Sequence, residues 1–305
     1  MNPDSVAVSK VGQQLVVADA PAPRLRYWSP WLLLFVACWL LVFARAFPDP
    51  VLLASRNWPL IGVGFAGALL GNATAVGGGM VFVPVLTLIY GMAPLAALKL
   101  ALASQVFGMT SGAIAWAQRR KVPLEGLVPA IPGMILGSLF GTFVVRPDSL
   151  LVKSVFGPTS IAIGAAILIL LRKNGVRERI PANAGWALFL AATIGGVITG
   201  WVAIGQGELI AAVLMLAFGL QTERSIGLGV VLLSLNSIFL VVIHQFVWGD
   251  IPWELAMFTG FGCVFGARMG PYLTQWIDQR KLKMGFAAVA IGDGLVFTFH
   301  ALSTS

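Results

Sequence analysis

Two short glycine-rich stretches are the residues of this chain best suited to chemistry. The first reads Gly71-Asn72-Ala73-Thr74-Ala75-Val76-Gly77-Gly78-Gly79 and the second Gly200-Trp201-Val202-Ala203-Ile204-Gly205-Gln206-Gly207-Glu208. Each interrupts an apolar run and precedes another. Consecutive glycines disfavour a continuous helix by about 1 kcal/mol each relative to alanine, and they let backbone turn sharply and approach a ligand closely. A helix that restarts after such a break presents unpaired N–H groups and the positive end of its dipole. That arrangement suits an anion. Asn72, Thr74, Gly77, Gly78, Gly79, Gly205, Gln206 and Gly207 are therefore candidate substrate contacts.

A second set of candidates comes from polar groups inside apolar segments. An ionisable group at the centre of a membrane helix costs about 2.5–3.5 kcal/mol on insertion scales, so each one requires a reason. Asp293 lies midway along an apolar run between Gly292 and Gly294, and Arg268 sits in the preceding run at comparable depth. Their two readings are a structural ion pair and a proton-coupling group. Glu208, just after the second break, either stabilises a helix start as a first-turn acid or repels an anionic ligand unless protonated. Lys99 either reaches the interface with its long stem or binds an anion. Ser104, Gln105, Ser234 and Asn236 stand at similar stations of two other runs, where polar groups line a path or bond between helices.

The elements that must hold these residues follow from composition. Of 305 residues 58% are hydrophobic and 10% are charged, against about 25% charged in an ordinary soluble domain. Too little polar surface is present to coat a soluble globule, which excludes a soluble enzyme. The expected fold is an all-α polytopic membrane protein. Apolar runs fall at 59–76, 80–91, 94–117, 126–145, 150–171, 186–204, 207–220, 224–247, 252–277 and 283–302. Most suffice for a spanning helix of about 20 residues. The runs at 80–91 and 207–220 are too short, and both follow a break. An earlier run, Trp31–Phe43, resembles a signal sequence with a small-x-small site. The long stretch before it and Arg45 within the site favour a retained helix.

The chain is internally duplicated. A shift of 128 positions brings Gly77, Gly79 and Gly91 onto Gly205, Gly207 and Gly219. A shift of 129 brings Pro123, Glu125, Gly133, Gly137 and Gly141 onto Pro252, Glu254, Gly262, Gly266 and Gly270. The shift of 128 then returns, placing Gly157 on Gly285 and Ala162-Ile163-Gly164 on Ala290-Ile291-Gly292. Ala165 falls where Asp293 stands, so that carboxylate breaks the symmetry. Each copy holds an odd number of crossings, three or five, so the second enters from the opposite side. This is the inverted repeat of many secondary transporters, here with broken or re-entrant helices. The total lies between seven and eleven crossings. The four-residue glycine spacing in 133–141 and 262–270 is a helix-packing stripe.

The expected organisation is a flexible cytoplasmic tail at 1–27, an extra transmembrane helix and loop at 28–57, repeat 1 at 58–172, a basic cytoplasmic linker at 173–185 and repeat 2 at 186–305. Cation-rich loops around Arg119 to Lys121, Arg172 to Arg179 and Arg280 to Lys283 share one face, which the positive-inside rule makes cytoplasmic. The N-terminus is then inside and the C-terminus outside the cell membrane. The net charge of +8 is an orientation signal of this kind, and no nucleic-acid partner is expected. Without a phosphate-loop, HExxH or CxxC motif, neither cofactor nor metal is expected. Cys38 and Cys263 lie inside apolar runs and suit no disulfide framework.

Gly77-Gly78-Gly79 followed by Val83-Pro84-Val85-Leu86, with a weaker echo at Gly205-Gln206-Gly207-Glu208, resembles the TauE/SafE family of sulfite and organosulfonate exporters. The likeness runs in order over about residues 58 to 302. It implies a secondary transporter that moves small sulfur-containing anions, usually outward, across the lipid bilayer; protons as the coupling ion rest on Asp293 alone. Gln206 stands where the first break has its middle glycine, a departure that makes the two half-sites unequal. An anion channel and an intramembrane enzyme are the alternatives. The first lacks an evident ring of like groups, and the second lacks a paired nucleophile and base. Oligomeric state is open at this level.

Overall fold

The computed structural model describes residues 30–170, 175–277 and 279–303; the expected N-terminal tail lies outside them. Among these residues the architecture is helical, with one isolated bridge between Arg177 and Leu220. The helices are α1 (Pro30–Ala46), α2 (Pro50–Asn57), α3 (Pro59–Thr74), α4 (Gly79–Pro84), α5 (Pro94–Gln118), α6 (Leu127–Leu139), α7 (Ser149–Leu170), α8 (Gly185–Val202), α9 (Gln206–Leu216), α10 (Thr222–Ile243), α11 (Trp253–Trp276) and α12 (Gln279–Ser303). Wider π-helical turns extend α4 to Ile89, α6 to Val144 and α10 to Trp248. This is an all-α polytopic membrane protein. Among the described residues five helices are long and apolar enough to cross a membrane, or six if the bent pair α1–α2 is one span. Beside them stand shorter apolar helices, α3, α4 with its extension, α9 and the apolar part of α12, which include the two short runs expected at 80–91 and 207–220.

Proline and glycine set most boundaries. Pro50, Pro59 and Pro94 stand at the first turns of α2, α3 and α5, where a missing N–H costs nothing. The expected first helix ends at Ala46, and α2 departs from it at 114°. Pro48 and Pro50 account for the bend, since each removes a donor and pushes the preceding residue out of the helical region.

The two breaks are built alike. α3 ends on Ala75 and α8 on Ala203, which have φ of 60° and 58° and stand 128 positions apart. A left-handed alanine costs about 1–2 kcal/mol, so surrounding contacts must hold it. Both are buried. Gly91 and Gly219, also 128 apart, share a φ of 64°.

Packing keeps its pattern when the halves are exchanged. α3 of the first half lies on α11 of the second, α8 of the second lies on α6 of the first, α5 packs on α10 and α7 on α12. The glycine series make the first two crossings possible. Methyl groups built on Gly133, Gly137 and Gly141 would run into the carbonyls of Phe189, Thr193 and Val197, and those built on Gly262 and Gly266 into the carbonyls of Ile61 and Phe65. Equivalent helices run antiparallel. Lys121 at the end of α5 pairs with Glu223 at the start of α10 at 3.0 Å. At the other end, Lys99 donates to the Gly249 carbonyl at 3.2 Å. Gly157 and Gly164 of α7 likewise face Gly294 and Ala287 of α12.

The linker beyond residue 174 is strapped to the α9–α10 loop, with Arg177 N–H donating to Gly219 O and Gln221 N–H to Arg177 O at 3.0 and 2.9 Å. Arg224 lies 3.9 Å from Glu178, so the loops bearing Lys121, Arg177 and Arg224 share one face.

Candidate functional site

The two breaks pack against each other in the buried interior. Methyl groups built on Gly77 and Gly79 would each come within 2.6 Å of Ala203 O, and one built on Gly207 would overlap Ala75 O. The contact between Gly79 and Ala203 is thus repeated, after exchange of halves, between Gly207 and Ala75. The glycines serve first to let one break close on the other, since no residue with a Cβ fits there.

Glu208 joins them. One carboxylate oxygen accepts from Gly77 N–H of the first break at 2.8 Å, and the other accepts from Gly205 N–H of the second at 2.9 Å. The second contact is the reach-back of a capping-box acid from the third helical position. The first crosses between halves. The amides that suited an external anion are therefore held by an internal one. Glu208 caps the α9 start, the first of the two readings for it.

Around this junction lies a polar network in an apolar core. Gln105 of α5 donates to Ala203 O at 2.6 Å and accepts from Ser237 at 3.0 Å. Asn236 of α10 donates to Gln206 at 3.3 Å and accepts from Ser138 at 2.6 Å. Thr199 accepts from Gln206 N–H at 3.0 Å and donates to Ile204 O at 3.1 Å. Gln206 Nε2 and Asn72 Oδ1 are buried without a hydrogen-bond partner. Replacing Asn236 by leucine should strip Ser138 and Gln206 of partners and lower stability by about 1–3 kcal/mol per orphaned group. Thermal unfolding in detergent measures this; an unchanged midpoint would remove the network from the account.

Of the expected residues, Gly77, Gly78, Gly79, Gly205, Gln206, Gly207, Glu208, Gln105 and Asn236 converge at the junction. Thr74 lies beside it and, with Glu208, Gly205, Thr159 and Ile163, lines a cavity of about 350 Å³ whose wall is mainly apolar. Asn72 is turned back, donating to Ala68 O at 2.9 Å. Ser104 bonds Thr259 between helices at 2.6 Å, and Ser234 bonds Thr110 at 2.9 Å. Lys99 is near the far end of α5. Asp293 and Arg268 form no ion pair with each other, because α12 packs along α7 and scarcely touches α11. The structural pair expected for them is not made.

Sequence reasoning did not single out Thr199, Ser138, Ser237 or Thr159. Only Thr199 carries a local signal, six positions before the cap Gly205, at the last turn of the helix that enters the break.

A family model described as "Sulfite exporter TauE/SafE" matches residues 60–296, which spans both breaks and all the helices that hold them. No curated protein and no solved structure matches the chain. The matched span leaves out only α1, α2 and the two chain ends, and it contains every residue at the junction; the chain belongs to the TauE/SafE sulfite exporter family.

Proposed function

We propose that this protein is a secondary transporter that exports a small sulfur-containing anion, sulfite or an organosulfonate, across the cell membrane. The carrying observation is the Glu208 carboxylate, which holds one amide from each break. A substrate anion and this carboxylate are alternative occupants of the same N–H groups. Protonation of Glu208 frees them for substrate, and loss of the proton returns the internal anion to its place. Protons then serve as the coupling ion. The antiparallel α5/α10 and α7/α12 pairs support inverted repeats that rock about the junction in alternating access. The grouping of Lys121, Arg177 and Arg224 on one face supports an inner-membrane orientation with the N-terminus in the cytoplasm.

Proteoliposomes holding the purified protein should release labelled sulfite with saturable kinetics, faster when the lumen is more acidic than the bath, because substrate and proton load together. Gly79→Ala should abolish that release while leaving insertion intact, because its methyl group would press on the Ala203 carbonyl. If no small sulfur anion moves under any gradient, the proposal fails. Unsaturable flux would instead mean a channel.

A further inference from the structure

A second pocket lies at the end of the bundle opposite Lys121. It has a volume of about 260 Å³ and is lined by Lys99, Arg146, His244, Trp248 and Asp250, with Leu95 as an apolar wall. Lys99, Arg146 and His244 can each donate to an oxyanion. Lys99 is 7% exposed and spends one of its three N–H donors on Gly249 O at 3.2 Å. His244 is 1% exposed, and neither of its ring nitrogens has a hydrogen-bond partner. Such a group in a membrane protein core is costly unless something else completes it, and an imidazole carries at least one N–H in either protonation state. Trp248 stands against it, ring centres 5.2 Å apart, and limits its rotation. Neither Lys99 nor Arg146 is ion-paired with Asp250, the carboxylate on the same wall. Two cations against one carboxylate leave the pocket a net positive site.

Backbone geometry also serves this site. Arg146 and Asp250 have φ of 41° and 60°, a conformation that side-chain-bearing residues adopt at a cost. The left-handed turns at the ends of the α6 and α10 extensions bring both side chains to the pocket wall. The repeat does not explain the site. The residue 128 positions after Lys99 is Gly227, and the matching end of α10 holds no equivalent lysine.

We propose that Lys99, Arg146 and His244 form a second oxyanion site at this end of the protein, separate from the junction. There the transported anion, or the phosphate of an anionic lipid headgroup, is held between the protein core and water. That the occupant is the transported anion rests on the function proposed above; the site itself can be tested without transport.

The test is ¹⁵N-histidine NMR of the untagged full chain carrying His300→Gln, in phosphate-free maltoside micelles. This leaves His244 as the only histidine. Sodium sulfite and sodium sulfate, each titrated at constant ionic strength against sodium chloride, should shift the His244 imidazole signals saturably. Lys99→Gln should weaken this response at least tenfold, and Arg146→Gln several-fold. Glu208→Gln should leave it unchanged. Arg146 is exposed, so its variant keeps the test valid should Lys99→Gln fail to fold. In nanodiscs, a shift in phosphatidylglycerol but not phosphatidylcholine, without added salt, identifies a lipid headgroup. A shift requiring free sulfite identifies the solute. No shift with either anion or lipid, or unchanged affinity in both cation variants, overturns the proposal. Transport with a silent His244 sinks this site alone, whereas anion binding at His244 without transport sinks the proposed function alone.

Discussion

Glu208→Ala is expected to lower net sulfite efflux from proteoliposomes by about 100-fold or more while sparing sulfite–sulfite exchange. Among the described residues this carboxylate is the sole hydrogen-bonding side chain on the amides of Gly77 and Gly205. Alanine leaves two buried N–H groups bare, at about 1–3 kcal/mol each, and each 1.4 kcal/mol is a tenfold change in a population. In the proposed alternating-access cycle that penalty falls on the empty carrier, which must reorient for net transport. With substrate on both sides the empty state is bypassed, because the anion fills the vacancy. Glu208→Gln keeps one acceptor oxygen and has no titrating proton. Its net flux should fall less, and it should no longer respond to a proton gradient. Wild-type net efflux in Glu208→Ala would sink the proposed role, and equal loss of exchange and efflux would reduce Glu208 to a scaffold group.

The second large effect concerns stability. Gly137→Ala and Gly266→Ala should each lower the apparent unfolding temperature by several degrees. A single methyl at either position runs into a backbone carbonyl, of Thr193 or Phe65, that belongs to another helix. A carbonyl cannot rotate away as a side chain can, so the helices must separate and lose contacts along their length. Overpacking of this kind costs about 1–3 kcal/mol, occasionally more, a large part of a total stability of about 5–15 kcal/mol. Gly292→Ala is the control. Its added methyl would meet nothing within 4 Å, and alanine is the better helix former by about 1 kcal/mol. That variant should unfold at or slightly above the wild-type temperature. Equal losses in all three variants, followed by scanning fluorimetry in detergent, would contradict the packing account.

What could be read from the sequence was local. Runs of apolar residues bounded by proline and glycine gave the helices nearly to the residue; the expected 94–117 is α5 and the expected 186–204 contains most of α8. The breaks were legible because three consecutive glycines cannot form one packing stripe on a helix. What escaped was pairing at long range. Gly77 and Glu208 are separated by 131 positions, and their bond depends on how two breaks cross. No periodicity encodes that crossing. Asp293 and Arg268 failed as a pair for the same reason, since equal depth along two runs says nothing about which helices are neighbours. His244 is unremarkable in sequence, one polar residue near the end of an apolar stretch. It gains meaning only when α5, α10 and the turn at Arg146 surround it.

The exchange of partners between the halves has a consequence for how the molecule is made. The partner that Gly64 of α3 closes on lies in the other half: a methyl group there would run into the Thr259 carbonyl, and Cys263, which donates to the Gly64 carbonyl, is 199 residues further along the chain. At a synthesis rate of about 5–20 residues per second, α3 waits on the order of ten seconds or more before α11 leaves the ribosome. During that interval its small-residue surface must be sheltered by lipid, by the insertion machinery or by a transient neighbour. The α3–α11 crossing therefore closes only after the second half has entered the bilayer.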